Sequence, residues 1–175
     1  GPKNDINAHP HMSNNEEIVI IHNGIIENFK ELKDFLIKSG YKFHTNTDTE
    51  VIANLLEYNN NEKDFSEVIK KTIDELNGTY GLIIMNKNEN NRLYCVRNGS
   101  PLLLGYNDDY AIITSEQSGF CNKINTYITL HNDDICFIEM NNNKININYS
   151  NIYDSKNVNL VNYEKYCSSR NRIRW

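Results

Sequence analysis

The stretch IVIIHNGIIENFKELKDFL, residues 18–36, decides how the chain is read. Ile18 to His22 is a short, nearly all-apolar run that ends in a histidine and reads as a buried strand. From Asn28 onward Phe29, Leu32, Phe35 and Leu36 fall at helical spacing, with Lys33 and Lys38 among the solvent positions. Gly40 stands where a left-handed residue would stop that helix. Between strand and helix lies Asn23-Gly24, a pair that normally marks a tight hairpin turn. Here the chain does not double back, so the pair reads as the end of the strand. One explanation is a strand-to-helix turn that uses Asn and Gly for backbone reasons. The other is donation: a side-chain amide and a backbone N–H can be fixed where negative charge develops, and glycine lets a substrate approach closely. Local grounds favour the turn.

Downstream, YKFHT (41–45) reads as a second short strand. TDTE follows, with Thr47 three residues before Glu50 in the pattern of a capping box, and VIANLLEY continues as a helix. DFSEVIKKTIDELNG is a further amphipathic helix with Phe65, Val68, Ile69, Ile73 and Leu76 on one stripe and Gly78 as its stop. The period then changes from helical to extended. TYGLIIMN, RLYCVR, PLLLGY, YAIITS, TYITL, ICFIEM and KININ read as strands, with NDDY, HNDD and MNNNK as hairpin connections. Several of these runs are apolar at nearly every position, which suggests burial on both faces. Helices first and a long antiparallel meander after predict an α+β fold with helices covering packed sheets.

The chain has 175 residues, enough for one domain with a real core. Its mean hydropathy of -0.63 is low because of thirty-one asparagines, clustered in EYNNNE, NKNENNR and EMNNNKININ between the periodic segments. Those clusters read as polar loop expansions. A net charge of -5 argues against a nucleic-acid footprint. No run approaches the roughly 18 apolar residues of a membrane span. Cys95, Cys121, Cys136 and Cys167 include no C-x-x-C pair, and Cys95 and Cys136 sit within apolar runs, so free thiols in a reducing cytoplasm are expected.

Two further positions bear on chemistry. His9 and His11 in NAHPH could face one side and hold zinc, but no further ligands follow at suitable spacing, and a loop shaped by Pro10 is preferred. Asp48 either favours the helix start through the macrodipole or presents a carboxylate to an ammonium group, and locally the two readings are equal.

The combination separates them. NAHPH, IVIIHNGIIENFKELKDFLIKSGYKF, TDTEVIANLL, ELNGTYGLIIM, RNGSPLLLG and TSEQ stand in an order and spacing that resembles the glutaminase domains of class II glutamine amidotransferases. RNGSPLLLG is most similar to the hexosamine-forming branch, the glutamine–fructose-6-phosphate aminotransferases (isomerising). The likeness runs from about Asn7 to about Ile147. It implies an N-terminal-nucleophile sandwich of antiparallel sheets in four layers, α/β/β/α. It also implies hydrolysis of the glutamine side-chain amide to glutamate and ammonia, with no cofactor and no metal. Asn23 and the N–H of Gly24 would form the oxyanion hole, and Asp48 would bind the α-ammonium of glutamine.

The family's nucleophile is a cysteine at the mature N-terminus whose own amine is the base, followed by an arginine-containing segment that binds the substrate carboxylate. Neither is in this sequence, and no mid-chain cysteine has a free α-amine. The expectation is therefore a piece of an enzyme, inactive alone, whose parent also carries isomerase domains and forms a homo-oligomer. Gly1-Pro2 reads as a tag scar, residues 3–148 as the partial glutaminase domain, and 149–175 as a C-terminal extension or linker. The alternatives are the glutaminase domain of an amidophosphoribosyltransferase, or a non-catalytic regulatory module with the same fold.

Overall fold

The computed structural model describes residues 8–89, 91–121, 123–124, 126–151 and 165–167. A two-residue strand β1 (His11–Met12) leads into β2 (Ile18–Ile26). Three helices follow: α1 (Phe29–Lys38), α2 (Asp48–Tyr58) and α3 (Phe65–Asp74). Next come β3 (Gly78–Asn86), β4 (Arg92–Asn98), β5 (Leu103–Tyr106), β6 (Ala111–Thr114) and β7 (Thr126–Thr129). The last strands are β8 (Asp134–Asn141), β9 (Lys144–Asn151) and β10 (Lys165–Cys167). Two antiparallel sheets result, one in the order β1-β2-β3-β4-β8-β9 and one in the order β10-β7-β5-β6.

Strand alternation assigns the layers. Ile18, Ile20 and Ile26 of β2 and Tyr80, Leu82 and Ile84 of β3 point at the helices and are buried there with Leu36, Ile52, Leu55 and Ile69. Cys95, Cys136 and Ile138 point the other way, into a core shared with Leu104 and Ile128 of the second sheet. The outer face of that sheet is covered by a short 3-10 turn, Gln117–Phe120, with Phe120 against Leu103 and Tyr127. Helices on sheet on sheet is the α+β sandwich expected. The central strands are buried on both faces as read: Tyr94, Cys95 and Val96 are consecutive and all wholly inaccessible.

Helix α2 is the middle of the helical layer, with every residue from Thr49 to Glu57 buried. Its polar positions Glu50, Asn54 and Glu57 recur at helical spacing and fasten the loops. Glu50 accepts the backbone N–H of His44 (2.8 Å) and of Thr45 (2.7 Å). Asn54 Oδ1 accepts from Asn14 N (2.8 Å), and Glu57 Oε2 from Asn15 N (3.0 Å).

That arrangement corrects the strand read at YKFHT. Residues 41–45 are irregular, because their amides are used elsewhere: Tyr41 N–H on Leu36 O, Lys42 N–H on Asn14 Oδ1, and His44 and Thr45 on Glu50. The capping box is half made. Thr47 Oγ1 accepts the Glu50 N–H (3.3 Å), while the Glu50 carboxylate reaches past Thr47 and Asn46 to the amides of His44 and Thr45. Gly78 does not stop α3, which ends at Asp74; it opens β3 at φ +132°, opposite Ile26. A Cβ there would lie 2.2 Å from Ile25 O.

The meander is interrupted. After β4 the chain leaves for the second sheet, makes β5 to β7, and returns as β8, so HNDD links two sheets rather than a hairpin. NDDY and MNNNK do join hairpins, the latter through Asn142 and Asn143 at φ +51° and +60°. Strand β9 continues to Asn151, and β10 pairs with β7. The rest of the C-terminal stretch, like Gly1-Pro2, lies outside the described residues.

Candidate active site

Asn23 and Gly24 do not end their strand. Strand β2 runs on to Ile26 because β3 pairs with it along its whole length, Asn23 opposite Gly81 and Gly24 opposite Tyr80. Gly24 is needed by that pairing: it has φ +144°, and a Cβ would lie 2.1 Å from Thr79 O. Asn23 is exposed on the face of the sheet turned away from the helices, between exposed Ile21 and Ile25.

The other edge of β2 is covered by β1 only at Val19 and Ile20. Beyond that point it meets the start of α2. The Ile26 N–H donates to Asp48 Oδ2 at 2.9 Å rather than to a neighbouring strand. The two-residue period of the ladder directs the Gly24 N–H to that same edge. Asp48, half-buried, therefore stands beside the edge that carries the Gly24 donor, and the two segments singled out in the sequence meet in space.

Sequence reasoning passed over His22, although it precedes the Asn-Gly pair. The imidazole is buried beneath Asp48, with Nδ1 3.2 Å from Thr49 Oγ1 and 3.7 Å from Asp48 Oδ1. The first is a hydrogen bond and the second a close electrostatic contact. Burial opposes the charge on Asp48, but His22 and the Ile26 N–H outweigh it and hold the carboxyl below its usual range. Asp48 is thus an anion at neutral pH. His9 lies near His11, His22 and Asp48, and burial together with those imidazoles lowers its basicity. His11 is buried, its ring 5.2 Å from that of His9 and its Nε2 3.5 Å from Thr47 Oγ1.

Cys95, Cys121 and Cys136 are elsewhere. Cys95 and Cys136 lie opposite each other on β4 and β8, free and wholly buried between the sheets. Burial pushes the Cys95 thiol up to about 12 and raises Cys136 as well, so neither is a nucleophile. Cys121 is free and exposed at the end of the 3-10 turn.

A sequence profile for the glutamine amidotransferase domain matches residues 3–122, more than half of the chain. The chain belongs to the glutamine amidotransferase domain family. Among similar proteins named glutamine–fructose-6-phosphate aminotransferase [isomerizing], that of Methanocaldococcus jannaschii is 43% identical over 151 residues, 83% of this chain and 14% of the relative. The Thermotoga maritima protein of that name is 33% identical over 97% of this chain and 28% of its own length. This glutamine amidotransferase domain thus spans well under a third of those relatives. Among solved structures, the glutamine phosphoribosylpyrophosphate amidotransferase of B. subtilis superposes with a TM-score of 0.67 at 25% identity, covering 83% of this chain and 32% of that one. A second structure, described as the allosteric regulatory enzyme of purine biosynthesis, matches with a TM-score of 0.69 at 24% identity and agrees on the fold.

Proposed function

We propose that this chain is the glutamine-hydrolysing part of a glutamine–fructose-6-phosphate aminotransferase. Glutamine would be converted to glutamate and ammonia, and the ammonia passed to fructose 6-phosphate on the isomerase domains of the parent chain, in the formation of hexosamine. The observation that carries the reading is the 2.9 Å hydrogen bond from Ile26 N to Asp48 Oδ2, which ties the HNGII strand to the TDTE helix start.

The chemistry follows from the charges involved. A thiolate attacking the side-chain carboxamide turns its carbonyl oxygen into an anion. The Asn23 amide and the Gly24 N–H are the donors assigned to that oxygen, and preorganised donors of this kind lower the barrier because they need no reorganisation. The anionic Asp48 is assigned to the α-ammonium of glutamine, which fixes the amide end relative to the donors. By the family resemblance the thiol and its amine base belong to an N-terminal cysteine; Cys95 and Cys136 cannot replace it from within the core.

The acceptor is argued from identity. The hexosamine-forming relatives share 33–43% of aligned residues with this chain, against 25% for the phosphoribosyl enzyme of similar fold. A cytoplasmic homo-oligomer without nucleic-acid or membrane partners completes the proposal. Among the described residues no helix is long and apolar enough to cross a membrane. The test is to assay the full-length protein for glutamate release with each acceptor. Glucosamine 6-phosphate formed from fructose 6-phosphate supports the reading. Glutamate release that responds only to phosphoribosyl pyrophosphate overturns it.

A further inference from the structure

We propose that His22 is a positioning residue for substrate binding: its imidazole, donating from Nδ1, orients the Asp48 carboxylate toward the ammonium group of glutamine. The proposal rests on the reading of Asp48 as the ammonium-binding group.

The geometry has three parts. The His22 side chain is only 2% exposed, so its hydrogen-bonding choices are fixed by protein atoms. Nδ1 lies 3.7 Å from a carboxylate oxygen and 3.2 Å from the Thr49 hydroxyl; a proton on that nitrogen is attracted by the carboxylate, whereas a bare lone pair there would be repelled by it. Among the described residues the buried Nε2 has no partner, and a proton placed there would find no acceptor among them. The Nδ1–H tautomer is the one this environment selects. Asp48 is then held from two sides, Oδ1 by His22 and Oδ2 by the Ile26 N–H, which fixes the plane of the carboxylate.

The experiment measures KM and kcat for glutamine in the full-length enzyme, for wild type, His22→Asn, His22→Leu and Asp48→Asn. Asparagine places an amide nitrogen near the position of Nδ1 but cannot take up a proton; leucine removes the donor. His22→Leu should raise KM at neutral pH by about tenfold with kcat within about threefold, the signature of lost ground-state binding. His22→Asn should recover most of that loss, because its amide restores a donor to the Asp48 carboxylate. A wild-type KM in His22→Leu, or a KM in His22→Asn no lower than in His22→Leu, overturns the proposal. If neither variant folds, the 15N shifts of His22 in the wild-type enzyme decide: an Nδ1–H tautomer at neutral pH supports it, and an Nε2–H tautomer overturns it. Asp48→Asn separates the two levels of the argument. An unchanged KM there overturns the ammonium reading itself, whereas a raised KM with silent His22 variants overturns only the role of His22.

Discussion

Gly24 lies so close to the backbone of Thr79 that a Cβ would fall 2.1 Å from its carbonyl oxygen and 2.7 Å from its carbonyl carbon. The contact is with backbone inside a paired strand, so no rotamer change relieves it. At φ +144° an L side chain is strained even without the clash. Gly24→Ala is expected to destabilise the domain by about 3 kcal/mol or more, since strain and overpacking add. Thermal melting checks this, and a variant within a degree of wild type would show that β2 and β3 can part at that point.

Asn23 presents the opposite case. Its side chain is exposed, so Asn23→Ala should change stability by no more than about 0.5 kcal/mol. In the full-length enzyme the same substitution removes one oxyanion donor and should lower kcat by roughly 10²–10³ with little change in KM. Near-normal kcat would return the Asn-Gly pair to a purely conformational role.

Asp48→Asn keeps an oxygen for the Ile26 N–H and removes the charge. KM for glutamine should rise by about one to two decades, the worth of a charge-assisted contact. Stability carries a second signature. The folded-state carboxyl is held below its ordinary value of 3.8, so its contribution is present above that pH and is lost as pH falls through the lower folded value. Acid unfolding of wild type should therefore be steeper below pH 3.8 than that of Asp48→Asn. Parallel acid limbs would contradict this.

Glu50 is buried, and its carboxylate serves two backbone amides and the Thr45 hydroxyl. Truncation to alanine strands those donors, at about 1–3 kcal/mol for each one left buried and unpaired. Glu50→Ala should lower the midpoint of urea unfolding well beyond Glu50→Gln, which keeps one acceptor oxygen. Equal midpoints would mean that water replaces the carboxylate.

Ile21 and Ile25 are exposed on the face of β2 that the second sheet leaves uncovered, as are Met12 and Met85 nearby. Beyond Ile20 the edge of β2 carries no further strand among the described residues. An uncovered apolar face beside an open edge recruits other chains. The 175-residue chain should self-associate in sedimentation runs across concentration and bind a dye that reports apolar surface, and Ile25→Lys should reduce both. A dye-silent monomer at all concentrations would refute the expectation.

How far the sequence reached depended on the range of the interactions. Strands β3 to β9 were legible because short apolar runs and the Asn/Asp/Gly turns that bound them are local. The capping of α2 by Thr47 was legible for the same reason. YKFHT looked like a strand because its side chains suit one; what prevents it is the Glu50 carboxylate taking its amides, a contact that apolar periodicity does not encode. Asn23-Gly24 looked like a strand end because β3, more than fifty residues further along the chain, was not there to carry the ladder past it. The site residues themselves came from resemblance. Their meeting across the β2 edge, with His22 beneath, belongs to the tertiary structure alone.

The excursion of the chain between β4 and β8 has a kinetic consequence. Arg92 pairs with Glu139, and Ile18 with Asn86, so the large sheet closes through contacts distant in sequence, with the helices inside one loop and β5 to β7 inside the other. Pairings of that kind hold folding to the range of about milliseconds to seconds, because loop entropy is spent before the contacts repay it. The tight β8–β9 hairpin at Asn142-Asn143 should form first and template the rest. Replacing that pair with Asn-Gly should then speed folding and leave the unfolding rate almost untouched.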